Sequence, residues 1–260
     1  MGKSALSAKQ FWLLSAAGAV TLFGVWTAAA VSGQVASQFL PTPWAVIQRI
    51  VELTQKPFAG FTLQQHLWSS VLRYLLGFAL AAAVGVPLGL LMGWFRALDY
   101  MVSPLFEGIR FIAPIAWVPF AALWFGTGVG GPTLIIFMGA FPPALINAYR
   151  GAQFVERQQV EAAQTLGAGG WRIIGEVLLP ASVPSIVAGL RISAGLGWQS
   201  LIGAELIVAS SGIGYLIVKG QSSISTTTVM AGMIAIGAVG LVIDVALRRA
   251  ETAINRRRGR

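Results

Sequence analysis

Long apolar runs recur along the chain, separated by short polar stretches. Six of them approach the roughly 20 residues a membrane-crossing helix needs: 11–31, 67–94, 105–125, 133–148, 183–206 and 229–247. Transmembrane barrels need strands of about 10 residues with alternating polarity, and the sequence carries no such alternation. The pattern predicts an all-α polytopic membrane protein of about six transmembrane helices, a single transmembrane domain over 1–260. The first run follows Lys3 and Lys9 and ends in small residues, as a secretory signal does. Its apolar part is longer than a typical signal, and it is read as a retained span.

Between runs, 32–66 forms a long loop. Within it "PTPWAVIQRIVEL" places Trp44, Ile47, Ile50 and Val51 at helical spacing, with Gln48, Arg49 and Glu52 opposite. A short amphipathic helix on the outer membrane surface is expected, or one packed on the protein. His66 is expected to cap or flank the second span. Gly85, Gly89 and Gly93 lie four apart there, a flat stripe for close helix approach, and Pro87 should kink it. The third run carries Pro114 and Pro119, which free backbone carbonyls. Such carbonyls are tolerated mid-membrane only inside protein or beside a watery path.

Only 10% of residues are charged, and the net charge is +9. With the N-terminus inside, Lys3, Lys9, Arg96, Arg150, Arg157, Arg172 and the basic tail 248–260 face the cytosol. Only Arg49, Lys56 and Lys219 fall outside. That asymmetry sets both termini in the cytoplasm and explains the positive charge without nucleic acid. The chain has no cysteine and one histidine, which leaves no thiolate chemistry, no histidine-rich metal site and little for an enzyme.

Charges within the spans narrow the search for a path. Glu107 with Arg110, and Asp244 with Arg248, can pair along their own helices. Arg73 is expected to snorkel to the outer surface. In the fifth run Arg191, Trp198 and Glu205 recur every seven residues on one face, flanked by Gln199 and Ser200. Arg191 and Glu205 are roughly 20 Å apart along a helix and cannot pair with each other. This stripe lines either a translocation path or a subunit interface; with Pro114 and Pro119 it makes the candidate path.

One stretch, "VEAAQTLGAGGWRIIGEVLLP", turns polar between the fourth and fifth runs. Residues 154–166 favour helix, Gly167, Gly169 and Gly170 end it, and 171–179 restart one, before Pro180 and Pro184. A helix–turn–helix projecting into the cytosol and joined to the fifth span is predicted. Ala162 and Ala163 permit close backbone approach, and Trp171 or Ile174 can anchor in a partner's groove.

This stretch resembles the EAA loop of ABC importer permeases: Glu-Ala-Ala, three residues, Gly, nine residues, an aliphatic, any residue, Leu-Pro. Glu161, Ala162, Ala163, Gly167, Val177, Leu179 and Pro180 match, with Val177 where isoleucine is commoner. "HLWSSVLRYLLGFALAAAVGVPLGLLMG", "PIAWVPFAALWFGTG" and "GLRISAGLGWQSLIGAEL" resemble segments of the branch serving nitrate, bicarbonate, taurine and other sulfonates. The resemblance runs from about Phe39 to the tail. It implies a type I importer permease (MetI-like) fold of the inner membrane, with 149–182 as coupling loop. It also implies a second permease copy, a cytosolic ABC ATPase dimer that binds the ATP and Mg, and an extracytoplasmic solute-binding protein. This chain would be conduit and transmission element, with no cofactor of its own. A secondary transporter or channel, the main rival, often shows two inverted repeats; none is evident.

Overall fold

The computed structural model describes residues 7–257 except 35, 37 and 127. The expectations for Lys3 and for the last three residues of the tail lie outside them. The helices, in chain order, are α1 (Ala8–Val31), α2 (Pro43–Gln55), α3 (Leu63–Trp94), α4 (Arg96–Arg110), α5 (Val118–Phe125), α6 (Gly130–Gln153), α7 (Arg157–Thr165), α8 (Gly170–Ile173), α9 (Leu179–Ile207), α10 (Ile213–Ser222) and α11 (Thr226–Arg257). Among the described residues five helices are long and apolar enough to cross a membrane, or six if one bent pair counts as a span.

That pair is the third run. It was expected as one span over 105–125, but the chain breaks at Phe111–Ala113, and α4 meets the segment Pro114–Phe125 at 91°. Pro114 has no N–H to donate and pushes Ala113 into an extended conformation. Pro119 falls in the first turn of α5, where a missing N–H costs nothing, so it starts a helix rather than breaking one. α3, in contrast, runs unbroken through Pro87.

The chain divides into two units, Met1–Leu63 with Leu216–Ile234, and Gln64–Tyr215 with Ala235–Arg260. In the first, Thr42 caps α2 by accepting from the Ala45 amide. α2 buries Val46 and Leu53, and between them Arg49 donates to Thr228 Oγ1 at 2.9 Å and to Glu52 at 2.9 Å. The outward stripe is Trp44, Ile47 and Val51, each at least half exposed. The helix therefore packs by the face that holds Arg49, and of its expected apolar face only Ile50 is half-buried.

The second unit is organised around α6. Gly85, Gly89 and Gly93 of α3 lie against Ala144, Ala148 and Ala152 of α6, so two ladders of small residues face each other. A side chain at Gly89 would meet Ala148 Cβ and the Tyr149 amide at 2.9 Å. On α6's other side Gly139 abuts Ser200, Gly151 abuts Ser182, and Gly189 of α9 abuts Asn147. Lipid tails are as apolar as leucine, so burial gives little drive between spans. Dispersion across such close seams holds them instead.

Gly89→Val should drive a branched side chain into the α6 backbone and cost about 3 kcal/mol. In detergent this should lower the thermal midpoint by roughly 6–12 °C. Gly24→Val in α1, where nothing lies within 4 Å, should leave the midpoint unchanged.

Candidate coupling loop and translocation site

The polar stretch forms a helical hairpin. α7 starts at Arg157, later than expected, because α6 runs through Gln153 and the chain turns at Phe154–Glu156. It ends in a Schellman cap: the Ala168 amide donates to Ala163 O at 3.0 Å, and the Gly167 amide to Gln164 O at 2.9 Å. The cap needs a left-handed residue, and Gly167 supplies it with φ +81°. Gly170 then begins α8.

Beyond α8 the chain widens into a π turn, Ile174–Leu178, in which the Leu179 amide reaches back to Ile174 O. The next residue, Pro180, has no amide to give. The prolines therefore do not separate the loop from the span, and Gly170–Ile207 is one continuous helical run. Glu161, Ala162, Gly167 and Pro180 are exposed, Ala163 and Ile174 half-buried. Leu166, Trp171 and Leu179 are 88%, 73% and 40% exposed. Trp171 packs edge-on to Phe95, 6.0 Å between ring centres, and Arg172 pairs with Glu176 at 3.0 Å. The hairpin thus presents an exposed apolar ridge of Leu166 and Trp171 on a stem continuous with α9.

The seven-residue stripe of α9 packs inside the chain. Trp198 is buried and T-shaped against Tyr74 at 5.4 Å, with Gly240 of α11 leaving room for the indole. Arg191 binds Asp244 at 3.2 Å and Glu251 at 3.3 Å, while Asp244 also takes Arg248 at 2.8 Å. The expected Asp244–Arg248 pair is present, extended by Arg191 into a network. Glu107 and Arg110 pair as expected, at 2.6 Å.

Glu205 is wholly buried. Its carboxylate accepts from Ser70 Oγ at 2.8 Å, from Arg73 Nη1 at 3.0 Å and from the Gly214 amide at 3.0 Å. Arg73 does not snorkel; it also donates to Ser211 O and Oγ. Ser70 Oγ accepts from the Ile213 amide, and His66 Nδ1 from the Gly212 amide. His66 was expected to cap or flank the span, but it is fully buried, and His66, Ser70 and Arg73 follow the four-then-three spacing of one helix face. That polar stripe within an apolar run was the available signal for Glu205's partners. The opposed charges fix one another because, desolvated, neither survives alone.

A different face of α9 meets open space. Gln199, Ser200 and Gly203 join Pro114 and Ile115 after the helix break, Arg110, and Pro142 and Pro143 of α6 around a groove of about 370 Å³. Of the residues expected to line a path, Pro114 and Gln199 come together there. Pro119 is exposed on α5 away from that lining, and Arg191, Trp198 and Glu205 lie on the packed face.

Glu205→Ala should leave Arg73 buried without a counter-charge and cost roughly 3–5 kcal/mol. Little monodisperse protein should survive heating and size-exclusion chromatography. The double replacement Arg73→Met with Glu205→Leu should recover most of it; equal loss in both would contradict the pairing.

A family model described as the inner membrane component of binding-protein-dependent transport systems matches residues 85–260. A putative ABC transporter permease protein of Methanocaldococcus jannaschii is 42% identical over 79% of this chain and 79% of its own length. The taurine transport system permease protein TauC of Escherichia coli is 32% identical over 87% of this chain and 83% of its own. Among solved structures, the MetNI methionine ABC transporter in an inward-facing conformation superposes with a TM-score of 0.65 at 19% identity. The superposition covers 74% of this chain and 95% of that one, so the fold is shared well beyond the sequence. The chain belongs to the family of binding-protein-dependent inner membrane transport components: it is a permease of the ABC importer type, not an enzyme.

Proposed function

We propose that this permease imports a small oxyanion, with a sulfonate such as taurine first and nitrate or bicarbonate next. It does so as a homodimer, fed by an extracytoplasmic solute-binding protein and driven by a cytosolic ATPase dimer that holds ATP and Mg. Both termini lie in the cytoplasm, as the distribution of basic residues favours. The taurine permease among its relatives supports the solute class. The path uses Pro114 and Gln199, the two expected path residues that meet at an open groove.

The observation that carries the coupling mechanism is the continuous helical run from Gly170 to Ile207. Trp171 and Ile174 seat the hairpin in a cleft of the ATPase, with Glu161, Ala162 and Ala163 against it. Closure of the ATPases on ATP moves the hairpin. No flexible linker separates it from the span, so the displacement reaches α9 and the groove above. Leu179 and Pro180 follow the π turn, a wide turn of the kind found frequently at functional sites.

Gly167→Val should strain the cap, because a β-branched residue tolerates positive φ poorly. Transport should fall at least about tenfold, with ATPase released from the purified complex or its hydrolysis no longer tied to uptake. The decisive measurement is the mass of the intact complex after gentle extraction from its native membrane. Two copies of this chain with two of an ATPase are expected. The chain alone, even with ATP trapped, would instead favour a secondary transporter.

A further inference from the structure

The groove between α4, α6 and α9 contains more than the two residues expected there. We infer that it is an anion-binding subsite on the solute path, in which Arg110 supplies the charge and Gln199 and Ser200 supply polar contacts. This rests on the importer reading above and deepens it by placing the solute at particular side chains.

Three observations meet at this place. First, the groove sits around the middle of α6, where Pro142 and Pro143 line it. Neither proline has an N–H, so the carbonyls of Met138 and Gly139 lack their helical donors. Freed carbonyls at that depth need a wet or protein-lined space, and both residues line this one. Second, the chain breaks here: α4 ends at Arg110 and the run resumes at Pro114 after a 91° bend. Broken helices at mid-depth let side chains and backbone of two segments converge on one point.

Third, the polar groups at the groove have capacity left over. Arg110 binds Glu107 through Nη2 and lies 4.8 Å from the Phe111 ring centre. A guanidinium has five N–H donors, so others remain for a ligand. Gln199 is exposed, and its amide has no hydrogen bond among the described residues. Ser200 donates to Leu196 O and keeps its lone pairs. The other side chains of the lining are apolar. The guanidinium donors that Glu107 leaves free are suited to an anion in transit. Glu107 beside the guanidinium tempers the attraction. A conduit needs that, since binding must be weak enough for the solute to leave.

The test exploits the absence of cysteine. Gln199→Cys is introduced, and the complex is purified with its partners. The new thiol is reacted with an anionic reagent, 2-sulfonatoethyl methanethiosulfonate, or a cationic one, 2-(trimethylammonium)ethyl methanethiosulfonate. Labelling of this chain is followed by intact mass. The thiol should react with both. Adding Arg110→Gln should lower the anionic-to-cationic rate ratio about tenfold, as expected for losing one nearby unit charge, and Arg110→Lys should preserve it. With Arg110 intact, saturating taurine, nitrate or bicarbonate should slow labelling at least about threefold for at least one of them.

An unreactive thiol would overturn the proposal, since the groove would then be covered by lipid or the second copy. So would a ratio indifferent to Arg110→Gln, or labelling that none of the three solutes slows. If Arg110→Gln yields no complex, the protection experiment still decides. Failure to recover any ATPase would overturn the importer reading instead, while these rates continue to report on the groove.

Discussion

The close approach of α6 to both α3 and α9 is the constraint on which the second unit depends. Between spans, lipid offers no hydrophobic drive, so contact area at short range has to supply the attraction. Gly85, Gly89 and Gly93 against Ala144, Ala148 and Ala152 provide that on one side. Gly139, Gly151 and Gly189 provide it on the other. Because the seams are set by backbone rather than by flexible side chains, α6 has little freedom to slide. Its two internal prolines can then hold open a groove without loosening the bundle.

The buried cluster around Glu205 serves a different purpose. It joins α9 to α3 and to the turn before α10 through Ser70, Arg73, Ser211 and the amides of Gly212, Ile213 and Gly214. A buried ion pair adds little net stability compared with well-packed apolar residues, but it penalises every arrangement in which its members part. That property fixes the position of α9 against α3. One end of α9 is tied by ionic bonds, and the other is continuous with the hairpin. Arg191, bound to Asp244 and Glu251, ties the middle of α9 to α11.

Between the fixed region and the hairpin lies the π turn. Its wide register, with the Leu179 amide returning to Ile174 O, precedes a proline that could not have continued an α-helical hydrogen-bond ladder. The sequence pays the local irregularity where loop and span meet. Regular helix then resumes, and α8, the π turn and α9 form one continuous helical run.

The sequence by itself determined the membrane class, the small-residue ladder of α3, the capped turn at Gly167 and the two intrahelical ion pairs. These depend on local spacing, and a glycine ladder or an i,i+4 pair reads the same in a string as in a fold. Only the tertiary structure decided what the charges of α3 and α9 do. A seven-residue stripe shows which side chains share a face, but not what that face meets. Arg191, Trp198 and Glu205 turned inward because α3 and α11 supplied the Arg73 and Asp244 partners and a gap at Gly240. Gln199, a single step around the helix from Trp198, faced the groove instead. The bend at Ala113 was latent in Pro114, yet its 91° angle and the space it opened depend on how α4, α6 and α9 pack. Distance along the chain carries no information about that packing.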